Sequence, residues 1–226
     1  MSSLTPVAFD IETTGFETSA HTTVVGLVFP MGVRVLVNTD GHAVETDQLC
    51  QQQESLFGET VVLTTHPSER ELLDAFSATV SEKIVPREYF LTAYNGELWK
   101  SGFDLPFLRT RFLTQEVDWP FVDVPYADLL PIFSARFNTT TEMEDEVQTA
   151  TLEHVYDELV GGELGDHDPF DDSAEAVAAF ERGEFESLLQ HNIADILRTD
   201  ALARVAEQYC SKSDFKLKSL SPTRAN

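Results

Sequence analysis

The first residues that could carry chemistry are the carboxylates Asp10 and Glu12, in the stretch 7–15. Apolar residues alternate with them, and a period of two predicts a strand that points both carboxylates to one face. Residues 13–15, Thr-Thr-Gly, end this strand, so the acids lie near its carboxyl end, where α/β sheets gather ligands. Neighbouring carboxylates repel each other, which favours a bound cation. A solvated edge strand in an acidic protein is the alternative interpretation.

Two later stretches carry further candidate groups. Asp104 opens a predicted helix shortly after a strand that ends at Asn95, and this position also points a carboxylate at the carboxyl edge of the sheet. His191 and Asp195 lie four residues apart in a long predicted helix, so they share one face. An ordinary first-turn acid and a solvated His–Asp pair are the alternative interpretations.

Taken in order, these stretches resemble the three motifs of the DEDD superfamily of 3′→5′ exonucleases, which have a ribonuclease H-like fold. The second motif is similar to that of the exonuclease domains of family-B DNA polymerases. The resemblance covers the chain from Val7 to about Arg204. The matching residues are Asp10 and Glu12 in the first motif, Tyr94, Asn95, Phe103 and Asp104 in the second, and Asp195 in the third.

The resemblance implies a 3′→5′ exonuclease that acts on single-stranded nucleic acid, with DNA favoured over RNA. The implied metal ligands are Asp10, Glu12, Asp104 and Asp195, and the implied substrate contacts are Thr13, Asn95 and Phe103. Four carboxylates can hold two divalent ions roughly 3.5–4 Å apart, and hard oxygen ligands favour Mg²⁺ or Mn²⁺. The alternatives are a non-catalytic ribonuclease H-like scaffold that binds nucleic acid or protein, and an endonuclease that uses the same acids.

His191 departs from the superfamily pattern. One branch has a tyrosine four residues before the final Asp, and another has a histidine five residues before it. His191 stands at the tyrosine spacing, and a shift of one residue rotates a helical side chain by about 100°. His191 is therefore a candidate catalytic residue that could take a proton from water, with a surface partner of Asp195 as the alternative.

The charge of the chain is unusual for a globular protein. Its 226 residues carry 39 Asp and Glu against 15 Lys and Arg, a net charge of −24, on an ordinary hydrophobic content of 42%. Acids spread along the whole chain suit a high-salt cytoplasm, where self-repulsion is screened, so we expect a halophilic origin. Avoidance of polyanions is the alternative, and it would argue against a nucleic-acid partner.

The cysteines and the apolar runs of the sequence are typical of a cytoplasmic protein. Cys50 and Cys210 are far apart and form no CxxC, so neither disulfides nor zinc are indicated. The chain has no basic-then-apolar leader and no apolar run near the roughly 20 residues that span a bilayer. We therefore expect a cytoplasmic protein without a membrane segment.

The predicted fold is α/β, with a ribonuclease H-like central mixed sheet (an antiparallel meander plus parallel strands) flanked by helices in a single domain over 1–226. Predicted strands lie at 7–12, 21–29, 33–37, 61–63, 90–94 and 121–124. Predicted helices start at Ser68, whose sequence is that of a capping box, and occupy 103–113, 128–137, 152–159, 174–180 and 184–209.

Two charged segments complete the prediction. The stretch of about 139–172 is an acidic insertion, in which we expect 166–168 and 171–172 to form a solvated acidic turn rather than a metal loop. The segment 211–226 is a short basic tail, whose lysines offset a helix terminus or contact a nucleic-acid backbone.

Overall fold

The computed structural model describes residues 4–97, 102–141, 150–170 and 173–223. The strands are β1 Thr5–Thr13, β2 Thr22–Phe29, β3 Gly32–Asn38, β4 Val61–His66, β5 Tyr89–Ala93, β6 Pro125–Asp128 and β7 Lys218–Ser219. The helices are α1 Thr46–Phe57, α2 Glu69–Thr79, α3 Asp104–Thr114, α4 Leu130–Arg136, α5 Leu152–Leu159, α6 Ser173–Arg182 and α7 Phe185–Tyr209. A π-helical turn at Val80–Ile84 follows α2, and a 3₁₀ helix at Glu163–His167 precedes α6.

The seven strands form one mixed sheet in the order β4-β3-β2-β1-β5-β6-β7. The first three strands are an antiparallel meander, and β5 and β6 extend it as parallel neighbours on the other side of β1. At the two edges, β4 lies parallel to β3 and β7 lies antiparallel to β6. The predicted mixed sheet flanked by helices is confirmed, and its arrangement is compatible with a ribonuclease H-like fold.

The two faces of β1 contact different helices. Val7 and Phe9 belong to a buried cluster with the apolar side chains of α2 and α3. Ala8, between them, belongs to the cluster formed with α6 and α7 on the opposite face. Because side chains alternate along a strand, Asp10 and Glu12 share the face of Ala8. The sheet therefore directs both acids toward α7.

The long helix α7 spans two hydrophobic clusters. Its first half contributes Leu188, Ile193 and Ile196 to the cluster over β1 and β2. Its second half contributes Leu202 and Ala206 to a cluster with α4 and α5. Burial at both ends fixes the helix across the sheet, so the polar residues between these contacts have a defined position over β1.

One predicted strand is wrong, and the helix α1 and the strands β6 and β7 were not predicted. Residues 121–124 form a turn rather than a strand, because Asp123 adopts a left-handed φ of 59° that interrupts an extended chain. Phe121 and Val124 are nevertheless buried, so the apolar residues of this stretch contribute to the core from a turn. The unpredicted α1 fully buries only Gln53, and its Leu49, Cys50 and Phe57 are only partly buried, so its apolar face is a weak signal for a helix.

The predicted basic tail belongs in part to the sheet. Lys218 and Ser219 form the edge strand β7, and Leu220 after them is buried in the core. The indole N–H of Trp119 donates to the carbonyl of Leu220 at 3.0 Å, and Lys218 pairs with Glu97.

Within the described ranges, no helix combines the length and the apolar character needed to cross a membrane.

A buried ion pair fixes α2 against α3. Glu69, at the start of α2, accepts two hydrogen bonds from the Arg111 guanidinium, at 2.8 and 2.6 Å. Both side chains are 5% exposed. Glu69 also accepts from the backbone N–H of Thr22, and Arg111 donates to the carbonyl of Thr18. The pair therefore also anchors the chain between β1 and β2.

The first prediction concerns this pair. Replacing Glu69 by Gln should lower the free energy of unfolding by about 3–5 kcal/mol, because it leaves the buried charge of Arg111 unpaired. Urea unfolding followed by circular dichroism measures the change. The matched control is Glu71→Gln, an exposed acid in the same helical turn, which should leave the midpoint nearly unchanged. Equal effects of the two substitutions would contradict this account.

Candidate active site

The predicted acids lie beside a cavity of about 430 Å³ at the carboxyl end of β1. Asp10 lies opposite Gly26 in the antiparallel pairing of β1 with β2, and Glu12 lies opposite Val24. The cavity is lined by Asp10, Ile11, Glu12, Thr13, Gly15, Phe16, Phe103, Ala174, Val177, His191 and Asp195. Residues from the first and third motifs therefore share one cavity.

Asp104 lies close enough to the acids of β1 to interact with them electrostatically. Burial, together with the charges of Asp104, Glu12 and Asp195, raises the pKa of Asp10 well above its usual value. Burial and the charges of Glu12, Asp128 and Asp195 likewise raise the pKa of Asp104. The carboxylates of β1, α3 and α7 thus influence one another electrostatically, although Asp104 is not among the residues that line the cavity.

The other two predicted ligands have intermediate pKa values. Burial raises the pKa of Glu12 to about 7, although the charge of His191 opposes the shift. Burial raises the pKa of Asp195 to about 6, against the opposing charges of His191 and Arg198. Both carboxylates therefore titrate near neutral pH. Without a bound cation, they take up protons as the pH falls through this range.

His191 faces the cluster and is held from behind. Its Nδ1 donates a hydrogen bond to a carboxylate oxygen of Asp168 at 2.8 Å, and its Nε2 lies 3.9 Å from a carboxylate oxygen of Glu12. Burial disfavours the imidazolium, but the hydrogen bond to Asp168 and the charges of Glu12 and Asp195 raise the pKa of His191 to about 10. At neutral pH its imidazole is therefore protonated and balances the acids.

Sequence reasoning missed Asn192, which is fully buried between α7 and the sheet. Its amide nitrogen donates to Asp10 at 3.1 Å and to Glu12 at 3.4 Å. Its Oδ1 lies where a side chain at Gly26 would begin, so a Cβ there would overlap it. The glycine opposite Asp10 therefore makes room for the amide that ties both acids to α7. The signal in the sequence was a polar residue among apolar neighbours in a helix.

Arg198 and Asp168 were also missed. The Arg198 guanidinium donates to Asp195 at 2.5 Å and to Asp168 at 3.1 Å through the same nitrogen. The side chain of Asp168 is only 11% exposed, so the predicted solvated turn is wrong for this residue. Asp166 in the same turn is exposed, and the predicted acids at 171–172 lie outside the described residues. The Asp168 contacts join positions 23 and 30 residues apart, which composition could not indicate.

The three predicted substrate contacts differ in position. Thr13 and Phe103 line the cavity, and the ring of Phe103 lies 5.2 Å from that of Phe16, which is 74% exposed. Asn95 is not among the lining residues. Its backbone N–H donates to Asp128 at 2.9 Å, and its left-handed φ of 64° turns the chain at the end of β5. In the loop between Asn95 and Asp104, 98–101 lie outside the described residues.

The donor set fits divalent cations bound by oxygen ligands. Asp10, Glu12, Asp104 and Asp195 would hold such ions, because burial raises their pKa values and a bound cation would offset the cost of ionising them. Ligand atoms of Asp168, His191 and Asp195 also lie within 4.8 Å of one another. There, however, the Arg198 guanidinium already contacts both acids and would compete with an ion.

Neither the models of known protein families nor the curated proteins give a match to this chain.

The second prediction concerns pH. In metal chelator, the free energy of unfolding should fall as pH rises from about 5 to 8, because Glu12 and Asp195 bind protons more tightly when folded. Each unit of raised pKa is worth roughly 1.4 kcal/mol, and the raised pKa of His191 acts in the same direction. Thermal unfolding at fixed ionic strength measures this dependence.

Added Mg²⁺ or Mn²⁺ should restore stability at pH 8 and add less at pH 5, where the ligands are protonated. Asp10→Asn should raise the stability of the metal-free protein at pH 8. Stability that increases from pH 5 to 8 in chelator would contradict the pKa pattern of the site.

The third prediction concerns Asn192 and Gly26. Asn192→Ala removes the amide that fixes Asp10 and Glu12, and Gly26→Ala displaces the same amide. Each substitution should weaken Mn²⁺ binding about 10–100-fold, the usual effect of losing a group that orients metal ligands. Isothermal titration with Mn²⁺ measures the affinity. Asn138→Ala, at an exposed asparagine, is the control, and an equal loss there would contradict the assignment.

Proposed function

We propose that this protein is a metal-dependent 3′→5′ exonuclease that hydrolyses the terminal phosphodiester bond of single-stranded nucleic acid. The observation that carries the proposal is the group of four interacting carboxylates from β1, α3 and α7, each with a raised pKa, of which Asp10, Glu12 and Asp195 line one open cavity. Burial is the largest cause of these shifts, because it makes the ionised carboxylates costly without a cation beside them. Two divalent cations would offset that cost.

Mg²⁺ or Mn²⁺ held by these acids would supply an activated water and charge stabilisation for the leaving oxygen. The protein itself fixes the ligands: Asn192 holds Asp10 and Glu12, and Arg198 holds Asp195. The carboxylates of Asp10, Glu12 and Asp195 line the cavity, where the phosphodiester of a substrate would lie. This arrangement supports hydrolysis of a phosphate ester rather than chemistry on an uncharged substrate.

His191 is the group proposed to move a proton. Its Nδ1 is occupied by Asp168, so Nε2 is the nitrogen that can exchange a proton on the cavity side. The carboxylates keep this nitrogen protonated, and neutralising Glu12 and Asp195 would lower the pKa of His191 toward the range useful for proton transfer. This supports His191 as a catalytic residue, although it stands at the spacing of the tyrosine.

Two aromatic rings support a nucleobase as part of the substrate. Phe16 and Phe103 meet edge to face at the cavity, and Phe16 exposes most of its ring. Stacking of a base on such a ring contributes about 1–3 kcal/mol without sequence preference. An unpaired 3′ end can supply that base, whereas a duplex must first open. The proposed substrate is therefore a single strand, with DNA favoured over RNA.

The high negative charge restricts how much backbone the protein can bind. At −24, extended contact with a polyanion is unfavourable, so we propose that recognition is confined to the terminal nucleotides at the metals. The high salt of a halophilic cell would screen this repulsion. The halophilic origin itself stays a prediction. Cys50 and Cys210 are both free thiols, and the cytoplasmic location likewise stays a prediction.

The fourth prediction tests the proposed activity. With a 5′-labelled single-stranded oligonucleotide and Mg²⁺ or Mn²⁺, the protein should shorten the substrate stepwise and release 5′-mononucleotides, with duplex degraded more slowly. Asp10→Asn and Asp104→Asn should each reduce the rate by more than about 100-fold, because each removes a charge that holds the metals. Asp74→Asn, at an exposed acid of α2, should retain the wild-type rate.

A 3′-terminal phosphorothioate should slow degradation, and a circular single strand should resist it. Internal cleavage of the circle would indicate an endonuclease instead. Binding without cleavage would indicate a non-catalytic scaffold, and loss of activity in Asp74→Asn as well would contradict the assigned ligands.

A further inference from the structure

Asp168 lies outside the three motifs, at the end of the 3₁₀ helix Glu163–His167. Its two carboxylate oxygens have different partners on α7. One accepts the Nδ1–H of His191 at 2.8 Å, and the other accepts an N–H of Arg198 at 3.1 Å. These partners flank Asp195 along the same helix, four residues before it and three residues after it. One acidic side chain therefore contacts the groups on both sides of a proposed metal ligand.

The contact with His191 determines which ring nitrogen faces the cavity. A carboxylate can only accept, so Nδ1 must carry a proton and Nε2 must lie on the side of Glu12. The ring of Phe170, two residues after Asp168, packs against the imidazole at 5.5 Å. Without the carboxylate, the imidazole could rotate and exchange its two nitrogens.

The contact with Arg198 fixes the other side of the ligand. The Arg198 side chain is 3% exposed, and the nitrogen that donates to Asp168 also donates to Asp195. A guanidinium held at two points has little freedom, so the Asp195 carboxylate is held with it. Since one oxygen of Asp168 accepts from His191 and the other from Arg198, Asp168 is placed to orient groups rather than to bind a metal.

We propose that Asp168 is a positioning residue that orients His191 and Asp195 for the reaction. The acidic stretch before α6 then serves the active site and not only the surface charge. The catalytic consequence rests on the proposed nuclease function, whereas the orientation of the imidazole does not. The two parts can therefore fail separately.

The fifth prediction compares Asp168→Ala and Asp168→Asn with Asp166→Asn, which removes a charge from an exposed acid of the same turn. Asp168→Ala should lower kcat about 10–100-fold with little change in KM, the size of effect seen when an orienting partner is lost. Asp168→Asn keeps an acceptor oxygen and should recover part of this loss. Asp166→Asn should retain the wild-type kcat.

A double-mutant cycle shows whether Asp168 acts through His191. If it does, Asp168→Ala should have a much smaller effect on kcat in the His191→Ala background than in the wild type. Full additivity of the two effects, or a change confined to KM, would overturn the proposal.

A spectroscopic readout decides the orientation without any nuclease activity. In a proton–nitrogen correlation spectrum of the six histidines, His191→Gln identifies the His191 signals. The wild type and Asp166→Asn should show a hydrogen-bonded Nδ1–H for His191, and Asp168→Ala should lose it. Persistence of that signal in folded Asp168→Ala would overturn the proposal. An inactive wild type with the expected spectra would refute the nuclease function and leave the orienting contact established.

Discussion

The structure depends on holding four carboxylates together at the end of β1 against their mutual repulsion. Burial and like charges raise the pKa of Asp10 and Asp104, so the site is unfavourable by itself at neutral pH. The groups that oppose this repulsion come largely from one helix, α7, which supplies a protonated imidazole, a buried amide and a guanidinium. Small residues on the strands let that helix approach, because Ala8 and Gly26 leave room for it. The charge cluster therefore explains why a helix with polar groups packs against the centre of the sheet.

The opposite face of the sheet fixes the remaining ligand. Asp104 is the first residue of α3, and Arg111 of the same helix forms the buried pair with Glu69. That pair also holds the chain after β1, and Phe16 in this segment lines the cavity. The ligand on α3 and the aromatic ring beside the cavity thus depend on one ion pair, although neither residue of the pair lies in the site.

The sequence predicted the parts of the site that depend on local geometry. The alternation around Asp10 and Glu12 placed both acids on one face, and the four-residue spacing placed His191 and Asp195 together on α7. Local patterns could not predict Asp168, because its contacts form only when the acidic stretch folds onto α7. Nor could they predict that 121–124 would turn at Asp123, since Phe121 and Val124 are buried as strand residues would be. Long-range contacts and a single left-handed residue account for these differences.

Asp10, Glu12, Asp104 and Asp195 are the proposed ligands of two divalent cations. The most direct measurement is anomalous diffraction at the manganese edge from a crystal soaked in Mn²⁺. This account predicts two anomalous peaks among these four side chains, with Arg198 still bound to Asp195 and Asp168. The absence of a peak there, or a single ion held by Asp168, His191 and Asp195 in place of the guanidinium, would contradict it.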